Sequence, residues 1–129
     1  MTRPVGPLSE AQLQIMKIIW ARREASVAQV WQALSADRPV ARNTVHTMVA
    51  RLEERGWLKR RAAGNAFIYS AAVPQRNAIG RMLRRLVDTV FNGSADGLVL
   101  TLLEERGLSK DEADRIRQLI DRAEKSKRR

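Results

Sequence analysis

Residues 42–52 of this chain combine an apolar face with a polar face that could bind nucleic acid. Apolar residues recur there at the i, i+3, i+4 and i+7 spacing of a helix, which predicts an amphipathic helix with one buried side. They are Val45, Met48, Val49 and Leu52. The opposite side has short or hydrogen-bonding side chains and a cation, which suit base edges and phosphates in a major groove. Its residues are Asn43, His46, Thr47, Ala50 and Arg51.

A β-hairpin is predicted directly after this helix. Gly56 suits the left-handed position that follows the end of a helix. Residues 58–61 and 66–71 are strand-like segments around a turn at 63–65. A helix followed by such a hairpin is the order of elements in a winged helix, in which the hairpin is the wing.

Three consecutive cations, Lys59, Arg60 and Arg61, stand on the first arm of this hairpin. Because the side chains of a strand alternate between two faces, at least one cation points to each side whatever the register. The wing is therefore suited to contact phosphates.

Two further helices are predicted upstream, where they would support the amphipathic helix. Each begins with a capping box, in which a serine and a glutamine three residues later satisfy free backbone N–H groups. The pairs are Ser9 with Gln12 and Ser26 with Gln29, and the first helix is expected to run to about Arg22. The residues expected on the buried faces are Leu13, Met16, Ile19 and Trp20 in the first helix and Val27, Val30, Trp31 and Leu34 in the second.

Three helices and a two-stranded wing within residues 1–72 predict a winged helix-turn-helix domain in a mainly α-helical protein. In this fold the second helix supports the third against a DNA groove. The alternative is a small α/β domain whose polar helix face is merely solvated, which explains the basic wing poorly.

The composition favours a polyanionic partner. The chain has 129 residues, of which 44% are hydrophobic, and a formal net charge of +10. This content suffices for one compact core, or for a small domain plus an association segment. Solubility alone could explain the charge, but cations placed on a helix and a wing favour DNA.

Several other classes of function are disfavoured. The chain has no cysteine and a single histidine, so disulfides and thiolate ligands are excluded and no metal or cofactor is expected. The acidic pairs at 53–54 and 104–105 are adjacent in helices and point in different directions, so no enzyme active site is predicted. The sequence contains no apolar run long enough to span a membrane, and residues 1–7 lack the apolar segment of a signal peptide. We therefore expect a cytoplasmic protein without membrane insertion.

The second half, residues 73–129, is predicted to consist of amphipathic helices. The first should end near Asn92 and Gly93, and a second apolar segment should end at Gly107. Ser109 and Glu112 form a capping box for a last helix.

These helices have little core of their own, so we expect them to bury their stripes against a twofold copy of themselves. The alternative is a monomer in which they fold back on the winged helix. The residues of the predicted homodimer interface are Ile79, Met82, Leu83, Leu86, Val87, Val90, Leu98, Leu102, Ile116, Leu119 and Ile120.

In combination, several segments resemble the penicillinase and methicillin-resistance repressor family. The pattern T-V-x-T-x-x-x-R-L, a following R/K-G and a wing of the form G-x-A-F-x-Y are fairly specific together. The matching segments are residues 8–11, 15–20, 43–52, 55–56 and 64–69. The resemblance covers almost the whole chain, and it implies a dimeric bacterial repressor that binds a palindromic operator in double-stranded DNA.

The resemblance also implies which residues contact DNA. The family's DNA-facing positions on the third helix correspond here to Asn43, Thr44, His46 and Thr47. Family members often begin this helix with Ser-Pro. This chain has Ala41 and Arg42, so a good N-cap is missing and Arg42 offers a phosphate contact instead.

The wing departs from the family as well. Family members usually have arginine at the position of Asn65. The asparagine of this chain therefore lacks one DNA contact that the family would make. Arg60 and Arg61 are the available substitutes.

Regulation is implied only by the resemblance. Antibiotic-responsive members are released by proteolysis at an Asn-Phe bond through a membrane sensor protease, and Thr101-Leu102 stand at the matching place. Release by another signal stays open. The related copper-responsive repressors use a cysteine-rich motif that this chain lacks. The alternative function is a winged helix that binds nucleic acid nonspecifically or binds other proteins.

Overall fold

The structure is a computed structural model that describes residues 6–127. Met1–Val5, on which part of the expectation about secretion falls, and Arg128–Arg129 lie outside the described residues. The chain divides into two compact units between Leu83 and Arg84.

The first unit contains three helices and a small sheet. In chain order its elements are α1 (Glu10–Arg22), β1 (Glu24–Ala25), α2 (Val27–Ser35), α3 (Arg42–Glu54), β2 (Leu58–Ala63), β3 (Ala66–Ala71) and the start of α4 (Gln75–Val90). The predicted order of helices and wing is confirmed.

Both capping boxes predicted upstream are present. Ser9 Oγ accepts a hydrogen bond from the Gln12 N–H at 3.1 Å, and Gln12 Oε1 accepts one from the Ser9 N–H at 2.9 Å. Ser26 and Gln29 make the same pair of bonds at 3.2 and 2.9 Å. The spacing of serine and glutamine therefore marks where α1 and α2 begin.

The wing belongs to a three-stranded antiparallel sheet with the order β1-β3-β2, so the prediction of two strands was incomplete. In the added pairing, Glu24 lies opposite Ser70 and Ala25 lies opposite Tyr69. A strand of two residues is too short to show an alternating pattern, so periodicity cannot reveal it. It ties β3 to the end of α1.

The hairpin turn is tighter than predicted. β2 extends to Ala63, which pairs with Ala66, so the loop consists of Gly64 and Asn65 and not of residues 63–65. Gly64 has a φ of +64°, a left-handed conformation that costs glycine little. The paired arms therefore continue to the tip of the wing.

The core of the first unit uses a slightly different face of α1 from the one predicted. Met16 and Ile19 are buried as expected, and Ile15 is buried with them. Leu13 and Trp20 were predicted to be buried but are only half-buried, because the stripe through residues 15, 16 and 19 faces the other helices. In α2, Val30 is buried, and Val27, Trp31 and Leu34 are half-buried.

The first unit continues past residue 72, the predicted boundary. Val73 and Ala78 are both buried in its core, and the Val73 carbonyl accepts a hydrogen bond from Trp20 Nε1 at 2.9 Å. The first turns of α4 thus pack with the winged helix. The apolar stripe of α4 runs on without a break, so the sequence pattern does not mark this division.

The second unit contains the rest of α4 together with α5 (Ala95–Glu105) and α6 (Lys110–Lys127). As predicted, α4 ends near Asn92 and Gly93, which are both left-handed, with φ values of +52° and +82°. The chain bends by 96° between α4 and α5. No single helix among residues 6–127 is long and apolar enough to cross a membrane, although α4 and α5 pass that test as a bent pair.

Ser94 begins α5. Its Oγ accepts a hydrogen bond from the Gly97 N–H at 3.0 Å, and its hydroxyl donates to Asp96 Oδ1 at 2.5 Å. The hydrogen bond from Ser94 holds the pKa of Asp96 below its usual value of 3.8. The negative charge of an ionised Asp96 in the first turn also interacts favourably with the dipole of α5.

The capping box predicted for α6 is only half formed. Ser109 Oγ accepts a hydrogen bond from the Glu112 N–H at 3.1 Å. The Glu112 carboxylate does not return to the serine backbone, since Oε1 lies 3.5 Å from Arg106 Nη1. A nearby cation competes for the carboxylate, which the S-x-x-E spacing alone cannot indicate.

The apolar stripes of the second half are largely exposed. No residue of α5 or α6, helices whose residues are all described, is buried, and Val90 at the end of α4 is 61% exposed. Of the predicted interface residues, Val87, Leu98 and Ile116 are half-buried, and the rest are exposed: Ile79, Met82, Leu83, Leu86, Val90, Leu102, Leu119 and Ile120.

Candidate nucleic-acid interface

The third helix, α3, has the two faces that its sequence predicts. Val45, Val49 and Leu52 are buried and Met48 is half-buried. All of the residues predicted on the opposite, polar face are exposed: Asn43, His46, Thr47, Ala50 and Arg51. The helix is thus fixed by its apolar side while its polar side stays open to a partner.

The start of α3 depends on a residue of α2. Ala41 is the N-cap and makes no side-chain capping hydrogen bond, as the sequence predicts. Trp31 Nε1 donates to the Val40 carbonyl at 2.7 Å and so closes the turn before α3. The Arg42 guanidinium lies over the same indole ring, 6.0 Å from its centroid, which places this cation at the first turn of α3.

An open groove of about 280 Å³ lies between α2, α3 and the wing. It brings Arg42 and His46 of α3 together with Asn65 at the tip of the wing. The remaining lining residues are Ser26, Val27, Ala28, Ala66, Phe67 and Tyr69. Three of the predicted DNA contacts from two separate elements therefore border one concave surface.

Thr44, predicted from the family resemblance, lies elsewhere. It borders a second open groove of about 390 Å³, together with Val40, Ala41 and Met48. Thr44 is exposed, so it remains accessible, but its side of α3 faces away from the wing.

The two wing arginines point to opposite faces of the sheet. Arg60 pairs with Tyr69, which is buried, whereas Arg61 pairs with Ile68. Arg60 therefore shares the inner face with Phe67 and lies next to α3. This confirms the prediction that the consecutive cations of β2 point to both faces of the sheet.

Each of these arginines also has an intramolecular partner. Arg60 Nε lies 3.3 Å from Glu53 Oε2 on α3, and its guanidinium carbon lies 4.2 Å from the centroid of the Phe67 ring. Arg61 Nη2 donates to Glu24 Oε1 at 2.9 Å. Both cations thus have a carboxylate partner before any other molecule binds, and Arg60 is also contacted by an aromatic ring.

Sequence reasoning missed several residues of this surface. Phe67 is 46% exposed on the inner face of the wing, and its alternation with buried Tyr69 in β3 could have placed it there. Glu53 was interpreted as solvated helix surface, yet it pairs with the wing. No sequence signal identifies that pair, because the two residues meet only when the hairpin folds back on α3.

No group of three or more His, Cys, Asp or Glu side chains within the described residues could hold a metal ion. The surface is instead an open groove with a largely apolar floor, bordered by the cation Arg42 and the hydrogen-bonding side chains of His46 and Asn65. This chemistry suits a polyanion better than a small metabolite.

The elements and their order define a winged helix-turn-helix protein. The apo form of MarR from E. coli has the same fold, with a TM-score of 0.52 and 19% identity over 90% of this chain and 77% of that one. The solved DNA-binding domain of the repressor BlaI has a TM-score of 0.53 and 27% identity, and the match covers 60% of this chain and 93% of that chain.

The chain belongs to the penicillinase repressor family, whose sequence model matches residues 8–122. This family is one of repressors and not of enzymes. The methicillin resistance regulatory protein MecI of Mammaliicoccus sciuri is 25% identical over 115 residues, which cover 89% of this chain and 94% of that protein. The penicillinase repressor of Bacillus licheniformis is 26% identical over 119 residues, covering 92% and 93%. The resemblance drawn from the motifs is confirmed.

Proposed function

We propose that this chain is a sequence-specific, DNA-binding transcriptional repressor that acts as a homodimer on a palindromic operator. The observation that carries the proposal is the groove that joins Arg42 and His46 of α3 with Asn65 of the wing. Family membership supports it. So does the likeness, with a TM-score of 0.50 and 27% identity, to the monomeric form of Bacillus licheniformis BlaI in complex with the blaP half-operator.

In this proposal α3 is the recognition helix and lies in a major groove. Asn43 can bond an adenine edge through two hydrogen bonds, and Thr47 can pack its methyl group on a thymine. Thr44 and His46 lie toward the two sides of the helix and can donate to phosphates or to guanine acceptors.

Cations at both ends of α3 and on the wing would neutralise phosphates. Arg42 stands at the first turn and Arg51 at the last, and both are exposed. With Arg60 on the inner face of the wing they form a cationic rim beside the polar face, whereas Arg61 adds a cation on the outer face of the wing. Binding through several such contacts releases counterions, so affinity should fall steeply with salt.

The exposed apolar stripes support the homodimer. Large apolar side chains at the surface are costly when they form a continuous face, and α4 has such a face in Ile79, Met82, Leu83, Leu86 and Val90. A twofold copy would cover it and would present two recognition helices to two half-sites about one helical turn or more apart.

Release by proteolysis is the proposed regulation, through a membrane sensor protease pathway. Thr101 and Leu102 lie inside α5 and are exposed, and Thr101 Oγ1 donates to the Gly97 carbonyl at 3.0 Å. A helical bond must unfold locally before a protease can cut it. Because no residue of α5 is buried, such opening costs little in the monomer. Mass spectrometry of the protein after β-lactam exposure tests this, and an intact chain alongside induced target genes would exclude it.

Fluorescence anisotropy tests the DNA-binding function. A duplex from the region upstream of the protein's own gene is titrated against a scrambled duplex of the same composition at physiological salt. We expect a preference of about a thousandfold or more for the upstream duplex. Equal affinity for the upstream duplex, the scrambled duplex and duplexes selected from a random pool would favour nonspecific nucleic-acid binding. No binding to any duplex would favour a protein-interaction role.

A further inference from the structure

Arg60 is held from two directions by residues of different elements. Glu53 of α3 approaches its Nε to 3.3 Å, and the ring of Phe67 lies under its guanidinium at 4.2 Å. The side chains of Arg60 and Glu53 are 47% and 28% exposed. This arrangement joins the recognition helix to the wing at the protein surface, where a DNA backbone could reach it.

The end of the Arg60 guanidinium is left open by these contacts. Within residues 6–127, no group accepts a hydrogen bond from its Nη1 or Nη2. These two nitrogens form the fork that binds a phosphate or a guanine edge through two parallel hydrogen bonds. Glu53 forms an ion pair at the Nε edge and Phe67 lies against the face, so the fork is available to a third partner.

We propose that Glu53 and Phe67 are positioning residues that hold Arg60 for DNA, and that Arg60, not Arg61, is the wing arginine that contributes to operator specificity. The inference rests on the proposed function. A side chain that is already ordered loses less conformational entropy on binding. Glu53 also fixes Arg60 relative to α3, so the wing contact is kept in register with the bases that α3 reads.

Arg61 lacks these features. It lies on the outer face of the sheet, and the nitrogen that would join such a fork, Nη2, donates to Glu24 Oε1 at 2.9 Å. A phosphate would have to displace that carboxylate. Arg61 is therefore a stabiliser of the β1-β3-β2 sheet and a general cation.

The test compares Glu53→Gln with Glu54→Gln. Both changes remove one negative charge at neighbouring positions, so both strengthen attraction to any duplex by a similar amount. Glu54 is exposed and, among the described residues, has no ion-pair partner. Anisotropy is measured with the tightest duplex that the wild type selects from a random pool and with its scrambled version.

We expect Glu54→Gln to leave the ratio of the two dissociation constants unchanged. Glu53→Gln should lower that preference about tenfold, because Arg60 then samples many orientations. Thermal unfolding identifies any variant that has simply lost its fold. Equal preference in the two glutamine variants would overturn the inference.

Variants of the arginines give a second arm. Arg60→Lys keeps the charge but loses the planar fork and the stacking on Phe67, so it should lower the preference as Glu53→Gln does. Combining the two changes should cause no further loss, because both act through one contact. Arg61→Lys should keep the wild-type preference. Additive losses, or an equal loss in Arg61→Lys, would contradict the inference.

A third measurement does not depend on DNA. In ¹⁵N NMR relaxation of the free protein, the Arg60 Nε–H group should show restricted motion in the wild type and in Glu54→Gln. In Glu53→Gln the same group should show fast, large-amplitude motion. An unchanged Arg60 signal in Glu53→Gln would refute the positioning role alone. A wild type with equal affinity for every duplex would refute the proposed function, and with it the assignment of Arg60 to DNA.

Discussion

Trp31 Nε1 donates a hydrogen bond to the Val40 carbonyl at 2.7 Å. The bond joins α2 to the last residues before α3, across the turn of the helix-turn-helix. The same ring lies under Arg42 at 6.0 Å from its centroid. One residue of α2 thus sets both where α3 starts and where its first cation stands.

Replacing Trp31 with Phe should lower the affinity for DNA while it lowers the free energy of unfolding only slightly. The change removes the N–H and keeps an aromatic ring, so the free energy of unfolding should fall by about 1 kcal/mol. Trp20→Phe is the matched control, because Trp20 Nε1 donates to the Val73 carbonyl at 2.9 Å, away from the start of α3. Urea unfolding should show similar losses, and anisotropy should show weaker binding only for Trp31→Phe. Equal DNA affinities would contradict this role for Trp31.

Asn43 and Arg51 should affect DNA binding in different ways. Asn43→Ala removes the proposed base contact and should lower the preference for the selected duplex over its scrambled version about tenfold. Arg51→Ala removes the proposed phosphate contact and should weaken binding to both duplexes, while the magnitude of the slope of log affinity against log salt falls by about 1. Anisotropy over a series of salt concentrations measures both effects. A uniform loss in Asn43→Ala would reassign that residue to the DNA backbone.

The apolar face of α4 should control oligomeric state. Leu86→Gln places a polar amide in the exposed stripe and should shift the protein from dimer to monomer at micromolar concentration. Arg84→Gln changes the opposite side of the same helix and should leave the dimer intact. Gel filtration with light scattering distinguishes the two. A wild-type protein that stays monomeric at every concentration would refute the homodimer.

Two helical glycines differ in the space beside their Cα atoms. A Cβ at Gly97 would lie 3.2 Å from Ser94 Oγ and 3.3 Å from Phe91 Cδ1, whereas a Cβ at Gly80 meets nothing within 4 Å. Ser94 cannot retreat without losing its cap on α5, so Gly97→Ala should lower the unfolding free energy by about 1 kcal/mol or more. Gly80→Ala should raise it by up to about 1 kcal/mol through helix propensity. Thermal unfolding of both variants tests this, and equal shifts would show that the corner at Ser94 is looser than described.

The missing N-cap of α3 should be repairable. Ala41 already has the extended backbone of an N-cap, so Ala41→Ser can accept a hydrogen bond from the Thr44 N–H and should raise the unfolding free energy by about 1 kcal/mol. Ala50→Ser, in the middle of the same helix, is the control and should lower it by a few tenths of a kcal/mol. Urea unfolding measures both. Loss of stability in Ala41→Ser would mean that the turn held by Trp31 leaves no room for the serine rotamer.

Local signals in the sequence determined much of the first unit. Each capping box contains its own donors and acceptors within four residues, so Ser9 and Ser26 mark helix starts without help from the rest of the chain. The apolar spacing through Val45, Val49 and Leu52 likewise predicts which side of α3 is buried. The exposed, polar side of α3 is then predicted as well, because it lies opposite the buried side.

Only the tertiary structure decided how separate elements meet. The short strand β1, the packing of Val73 and Ala78 into the first unit, and the pairing of Glu53 with Arg60 all depend on contacts between residues distant in sequence. Such contacts follow from the register of a hairpin and the rotation of each helix about its axis, which no local pattern records. The sequence by itself therefore identified the two faces of α3 and the family of the chain, whereas the fold decided that Arg60 faces that helix and Arg61 faces away.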